Sequence, residues 1–226
     1  MQETKLSAGN VLDELLNGGL ESDVATILYG PPGSGKTLIC MMCIMECVKK
    51  KKNVIYVDTE GGFSVERLKQ IDPSYEETLK HIIFLRPVNF AEQRKVFSRL
   101  KEIANNKIGL IVVDTISMLY RLELGLNSEN FELSRELGSQ AAMLTEIARV
   151  KNIPVLITNQ VYSKVETEGV KMVGGELLKY GSKCLVELQT FHGKKRKATL
   201  RKHRAIESGK EKVFEIVHEG IKEVSM

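Results

Sequence analysis

The sequence has little of what marks a membrane-bound, secreted or modular protein. Its 226 residues contain no apolar run of about 18, the length that a membrane-spanning helix needs. The first residues, MQETK, form no apolar signal-peptide core, so we expect a cytoplasmic location. No repeat, low-complexity tract or linker rich in Pro, Gly and Ser divides the chain, which predicts a single domain over residues 1–226.

Cysteine is also scarce, and the net charge is a modest +4, too small to indicate nucleic-acid binding by itself. Cys40, Cys43 and Cys47 follow one another at helical spacing among methionines, and Cys184 stands apart. The Cys40-x-x-Cys43 pair is compatible with a metal or redox site, but no second pair or histidine is close. We therefore predict that the cysteines are small apolar core residues.

One stretch carries a clear chemical signature, a phosphate-binding loop of the form G-x-x-x-x-G-K-[ST]. An apolar, β-prone run over 24–29 precedes it, and a run without Gly or Pro over 38–48 predicts a helix after it. Backbone N–H groups in such a loop can surround phosphates at the positive end of the helix. The lysine can then reach the β- and γ-phosphates, and the threonine hydroxyl can hold Mg²⁺. The loop comprises Gly30, Pro31, Pro32, Gly33, Ser34, Gly35, Lys36 and Thr37.

Polar residues follow three further apolar strands, at the strand ends where open α/β sheets bind ligands. Asp114 ends the strand 110–114 and is the expected partner of Thr37 at Mg²⁺. Glu60 follows the strand 54–58, where a carboxylate could orient or deprotonate the attacking water, although alone it would be taken for a surface residue. Gln160 follows the strand 154–158 and could bind the γ-phosphate or that water without adding charge.

The order of these segments predicts an α/β fold with a mostly parallel central sheet between helices. Helices are expected over 6–22, 66–71, 89–105 and 137–151, and irregular loops over 118–133 and 163–173. From residue 184 the pattern changes to antiparallel strands, expected at 184–191, 197–203 and 212–217.

The C-terminal strands carry most of a basic cluster. It includes Arg196, Lys197, Arg201, Lys202 and Arg204. One interpretation is a solvated hairpin with charged edge residues. The other is a surface that contacts anions, either DNA phosphates or the nucleotide of a neighbouring subunit.

Taken together, these motifs resemble the RecA/RadA recombinase ATPases over nearly the whole chain. The stretches that resemble the family's motifs are DTEGGFSVERL at 58–68, VDTIS at 113–117 and ITNQV at 157–161. The resemblance implies a RecA-like ATPase core with ATP and Mg²⁺ as cofactors. It further implies that Glu60 activates water, that Arg67 packs against the adenine and that Gln160 meets the γ-phosphate. The segments after Ser117 and Gln160 correspond to the family's two DNA-facing loops.

Several departures from the active recombinases indicate which members of the family the chain resembles most. Ser64-Val65 replaces the usual Arg-Pro, the second loop is short, and we expect neither an N-terminal helix–hairpin–helix domain nor a polymerisation linker. This combination is similar to the core-only archaeal members of the family. It implies a weak ATPase without strand exchange that binds single-stranded or branched DNA of any sequence. The implied protein partners are the recombinase RadA and a Holliday-junction nuclease, and a homodimer is left open.

Two other interpretations stay open at this point. Lys202-His203-Arg204 is similar to the Lys-x-Arg element that KaiC-type relatives insert into a neighbour's ATP site, which would indicate a ring-forming regulatory ATPase without a DNA role. A fully competent recombinase is the other, and the expected lack of a polymerisation linker counts against it.

Overall fold

The computed structural model describes residues 5–125, 130–162 and 171–224. Its helices are α1 (Leu12–Leu15), α2 (Lys36–Lys49), α3 (Val65–Ile71), α4 (Tyr75–Lys80), α5 (Phe90–Ile103), α6 (Met118–Leu124), α7 (Phe131–Lys151) and α8 (Gly175–Gly181). Its strands are β1 (Lys5–Leu6), β2 (Leu20–Glu21), β3 (Ala25–Tyr29), β4 (Asn53–Asp58), β5 (Ile82–Leu85), β6 (Ile108–Asp114), β7 (Val155–Asn159), β8 (Val161–Tyr162), β9 (Lys171–Met172), β10 (Cys184–Thr190), β11 (Lys195–Lys202), β12 (Glu211–Val217) and β13 (Gly220–Glu223).

Among the described residues, nine of these strands form the main sheet, in the order β13-β12-β11-β10-β3-β7-β6-β4-β5. Neighbours from β10 to β5 run parallel, and β11, β12 and β13 extend the sheet by antiparallel pairing. The predicted α/β architecture and the change to antiparallel strands after residue 184 are thus confirmed. The strand β3, which leads into the phosphate loop, lies in the middle of the sheet, with β10 on one side and β7 on the other.

Helices cover both faces of the sheet, as buried parallel strands require. On one face, Phe97, Leu137 and Leu144 of α5 and α7 pack with the strand residues Ile27 and Val113. On the other face α2 packs against the sheet, and its buried side chains include Ile39, Cys40, Cys43, Ile44 and Cys47. All four cysteines are free and buried, which confirms their prediction as core residues.

The helix predicted over 6–22 is wrong except for its centre. Only Leu12–Leu15 is helical, and β1 and β2 pair antiparallel on either side, with Leu6 opposite Leu20. The cause is the Asp13 carboxylate, which accepts hydrogen bonds from the Ser7 hydroxyl (2.8 Å) and from the N–H groups of Ala8 and Gly9 (2.6 and 3.0 Å). These bonds close a compact loop before the helix and keep it from starting earlier, and the positive φ values of Asn17, Gly18 and Gly19 end it on the other side.

The irregular loop predicted over 118–133 is wrong for its described parts. Residues 118–124 form α6, and α7 begins at Phe131 with Asn130 as its N-cap, while 126–129 lie outside the described residues. Of the loop predicted at 163–173, residues 163–170 also lie outside them, and Lys171–Met172 pairs with Val161–Tyr162. Helix α4 and strand β13 are additions that the sequence pattern did not predict.

Within the part of the chain that the structure describes, no helix is long and apolar enough to cross a membrane.

Candidate nucleotide site

The phosphate loop joins β3 to α2 and takes the shape that its glycines allow. A Cβ atom on Gly30 would lie 2.2 Å from the Leu188 carbonyl oxygen, so the loop can pass β10 only with glycine at this position. Gly35 has a φ of 101° and is the N-cap of α2, a conformation that other residues rarely adopt. The Ser34 hydroxyl is buried and has no hydrogen-bond partner among the described residues. An unpaired buried hydroxyl in such a loop suits a polar ligand such as phosphate.

Lys36 begins α2 and turns back over the loop. Its Nζ donates to the carbonyl oxygens of Gly30 and Pro31 at 2.8 and 2.9 Å. Burial lowers the pKa of the Lys36 ammonium, and the charges of Asp114 and Glu60 oppose that shift. The structure therefore holds a cation within the curve of the loop, where phosphate oxygens would need one.

Asp114, at the end of β6, is held by hydroxyl groups from three other elements. Its Oδ2 accepts from Thr37 at 2.8 Å and from Tyr56 at 2.7 Å, and its Oδ1 accepts from Thr158. The predicted pair of Thr37 and Asp114 is thus in direct contact. Hydroxyl and carboxylate oxygens are the ligands that Mg²⁺ prefers, so these two residues fit the metal that the fold implies. When bound there with ATP, Mg²⁺ neutralises charge on the phosphates.

Glu60 and Gln160 meet at the same edge of the sheet. The Gln160 amide donates from Nε2 to Glu60 Oε1, and its Oε1 accepts from the Arg121 guanidinium. Partial burial raises the pKa of Glu60 and the charge of Asp114 adds to the shift, whereas the Gln160 hydrogen bond and Lys36 oppose it. A carboxylate with a raised pKa suits a general base.

Arg67 is the one predicted nucleotide contact that points elsewhere in this structure. Its guanidinium donates to the carbonyl oxygens of Val217 and His218 at 2.7 and 2.9 Å and to the Gln70 side chain at 2.7 Å. It thus ties α3 to the turn between β12 and β13. Contact with an adenine stays a prediction.

The basic cluster is largely bonded within its own chain. Arg201 pairs with the buried Glu187 at 2.5 Å, and Lys197 pairs with Glu211 at 2.9 Å. Arg196 donates from Nε to the Gly33 carbonyl at 2.9 Å, so this hairpin touches the phosphate loop.

The remaining two cations bind near the N-terminal strands and α8. Lys202 donates to the Lys179 carbonyl at 2.9 Å. Arg204 makes a two-pronged pair with Asp23 at 2.7 and 2.8 Å and a further contact with Glu21 at 2.8 Å.

Three residues of the site were not predicted from the sequence. Tyr56 and Thr158 lie inside strands, and the strand pattern does not show that their hydroxyls face Asp114. Arg121 fell in a segment predicted to be irregular. Had the helix been predicted, its position one turn after Ser117 would have placed Arg121 near the strand ends.

A phosphate loop after the central strand, with a threonine–aspartate pair and a glutamate beside it, defines a P-loop ATPase of the RecA-like class. The family model of Rad51 matches residues 3–224, and the chain belongs to this family. It is similar to proteins named DNA repair and recombination protein RadB. That of Methanococcus maripaludis strain C5 is 44% identical over 213 residues, 93% of this chain and 96% of the relative. That of Methanocaldococcus jannaschii is 43% identical over 214 residues, 93% of this chain and 98% of the relative.

A solved structure gives the same result. The crystal structure of the RadB recombinase matches 97% of this chain and 100% of its own with a TM-score of 0.82 at 37% identity. The resemblance to the recombinase family is thereby confirmed.

Proposed function

We propose that this protein is an ATP-binding and DNA-binding accessory factor of homologous recombination and DNA repair. It hydrolyses ATP weakly with Mg²⁺, performs no strand exchange, and modulates the main recombinase and the processing of branched DNA. The observation that carries the nucleotide part is the contact of Thr37 with Asp114 at 2.8 Å, beside Lys36 in the loop. Residues far apart in the sequence thus form one constellation that fits a nucleotide and its metal.

The names of the relatives support the role in recombination and repair. A name shared by relatives that match nearly their full length favours the same process for this chain. A recombinase partner, a junction nuclease and a homodimer are expectations from the resemblance that each need a binding measurement.

Slow hydrolysis is supported by the C-terminal cations. A cation that acts on the γ-phosphate from a second molecule is worth about 10³–10⁵ in turnover. Lys202 and Arg204 bind carbonyl and carboxylate oxygens of their own chain and would have to leave these partners to act on a second molecule. We therefore expect tight nucleotide binding together with slow turnover.

The test is ATP turnover with and without single-stranded DNA, beside direct measurement of ATP binding. We expect ATP binding, a slow rate and little response to DNA. Lys36→Ala removes the loop cation and should weaken ATP binding at least tenfold. Lys107→Ala, just before β6 at the amino ends of the parallel strands, should not. Unchanged ATP affinity of the Lys36 variant would refute the nucleotide site. A rate raised many-fold by DNA would instead indicate an active recombinase.

A further inference from the structure

We propose that Arg121 is a positioning residue of the hydrolysis site, which fixes the orientation of the Gln160 amide against Glu60. This inference rests on the proposed ATPase function. It concerns a residue outside the phosphate loop and outside the stretches 58–68, 113–117 and 157–161, in the segment that follows Ser117. Arg121 lies at the exposed end of the site, in the middle of α6.

The contacts leave the Gln160 amide only one satisfactory orientation. Its oxygen accepts from Arg121 Nη1 on one side, and its N–H₂ group donates to Glu60 Oε1 on the other. A guanidinium can only donate and an ionised carboxylate can only accept. Rotating the amide by 180° would set two donors against each other on one side and two acceptors on the other. Arg121 therefore selects the rotamer that presents donors to Glu60.

The fold fixes the position of Arg121 itself. Its backbone N–H donates to the Ser117 carbonyl at 3.0 Å in the first turn of α6, and the Ile116 N–H donates to the Thr158 carbonyl at 3.1 Å. Helix α6 is thus tied to β7, the strand that leads into Gln160. The Arg121 guanidinium carbon also lies 5.5 Å from the ring centroid of Tyr162, which adds a cation–π contact.

Loss of Arg121 would act on Glu60 and leave the phosphate loop intact. With no donor on its outer side, the amide would lose the contact that fixes its rotamer, and Glu60 would lose a fixed hydrogen-bond partner. Misplacement of a general base lowers the rate of hydrolysis without weakening the contacts that hold the nucleotide. We expect kcat to fall roughly tenfold, with ATP affinity changed less than twofold.

The experiment compares Arg121→Met, which removes the donors, with Arg121→Lys, which keeps a charged donor on a flexible stem. Steady-state kcat and KM for ATP are measured for both, in the wild-type and in the Gln160→Ala background. Arg99→Met, an exposed arginine of α5, is the matched control. Arg121→Met should lower kcat about tenfold at unchanged KM, Arg121→Lys should recover part of the loss, and neither should lower kcat further once Gln160 is absent. Undiminished kcat in Arg121→Met, or a full additional loss in the Gln160→Ala background, would overturn the proposal.

A second measurement needs no hydrolysis at all. The side-chain N–H₂ resonances of Gln160 in ¹⁵N-labelled, ATP-free protein are identified by their disappearance in Gln160→Ala. Arg121→Met should shift them, and Arg99→Met should not. Unshifted resonances in Arg121→Met would overturn this inference whether or not the wild-type protein hydrolyses ATP. A wild-type protein that does not hydrolyse ATP, with resonances that do shift, would instead contradict only the proposed function.

Discussion

At the residue scale, two carboxylates of the site experience different surroundings. Asp114 accepts from three hydroxyl groups, which hold it beside Thr37 as a ligand for a cation. Glu60 has a raised pKa because burial and the charge of Asp114 disfavour its ionised form. The first carboxylate is therefore suited to binding metal and the second to accepting a proton.

The raised pKa of Glu60 gives a pH prediction. A general base works only when deprotonated, so turnover should fall as the pH decreases through a pKa above the ordinary 4.5 of glutamate. Gln160→Ala removes a contact that lowers this pKa, and the acidic limb of the kcat–pH profile should then move to higher pH.

Glu60→Gln removes the group that would accept the proton, so it should spare ATP binding and slow turnover by about 100-fold or more. A limb that moves to lower pH in Gln160→Ala, or undiminished turnover in Glu60→Gln, would contradict the assignment.

The residues of the site differ in how far the sequence could predict them. Lys36 and Thr37 belong to a contiguous motif whose spacing defines its chemistry. Tyr56 reaches Asp114 only because β4 and β6 pair in a register that sets Asp58 opposite Asp114. Such a contact depends on strand pairing, which the local pattern does not determine.

At the element scale, the helix ends explain which segments were predicted well. The sequence predicts a helix that starts at Asn89, as α5 does, whereas its polar residues over 118–133 predict a loop where α6 and the start of α7 lie. The α6 segment MLYRLEL consists largely of strong helix formers, and Asn130 caps α7 by accepting from the Leu133 N–H at 3.1 Å. Both signals are local, so helix propensity and capping residues in the sequence alone indicate these two helices.

The N-terminus of α5 offers a test of this capping. Asn89 Oδ1 accepts from the Glu92 N–H at 2.9 Å, and Glu92 reaches back to the Val88 N–H at 3.0 Å. Asn89→Ala should lower the free energy of unfolding by about 1 kcal/mol, and Asn89→Asp, which keeps the acceptor, should lower it by less. The measurement is urea denaturation followed by circular dichroism. Equal stability of the alanine variant and the wild-type protein would show that the cap contributes nothing.

At the scale of the whole molecule, the positive charge is less available than the sequence suggests. Arg201, Lys197 and Arg204 are each paired with carboxylates of the same chain. The side chains of Lys194 and Lys195, at the tip of the hairpin between β10 and β11, have no such partner among the described residues. DNA contact at this hairpin should therefore depend mainly on its tip.

The tip can be tested by reversing its charge. Lys194→Glu with Lys195→Glu should weaken binding of single-stranded DNA equally for all sequences, because phosphate contacts carry no sequence information. The slope of log K against log salt should decrease by about 1.4, since each phosphate contact on a single strand contributes about 0.7. Lys107→Glu, at the amino end of β6 and so at the opposite end of the strands from the hairpin tip, is the control. An unchanged slope in the double variant would exclude the hairpin tip as a DNA contact.

The central place of β3 has a consequence for the order of events during synthesis. The strand that carries the phosphate loop pairs with β7 and β10, and its Thr26 lies opposite Cys184. At synthesis rates of about 5–20 residues per second, roughly 8–30 s separate the appearance of these two residues at the ribosome. Throughout that interval the nascent chain exposes unpaired backbone along β3, which would be a target for chaperones. The sheet on this side of the phosphate loop would thus be completed only after β10 has been synthesised.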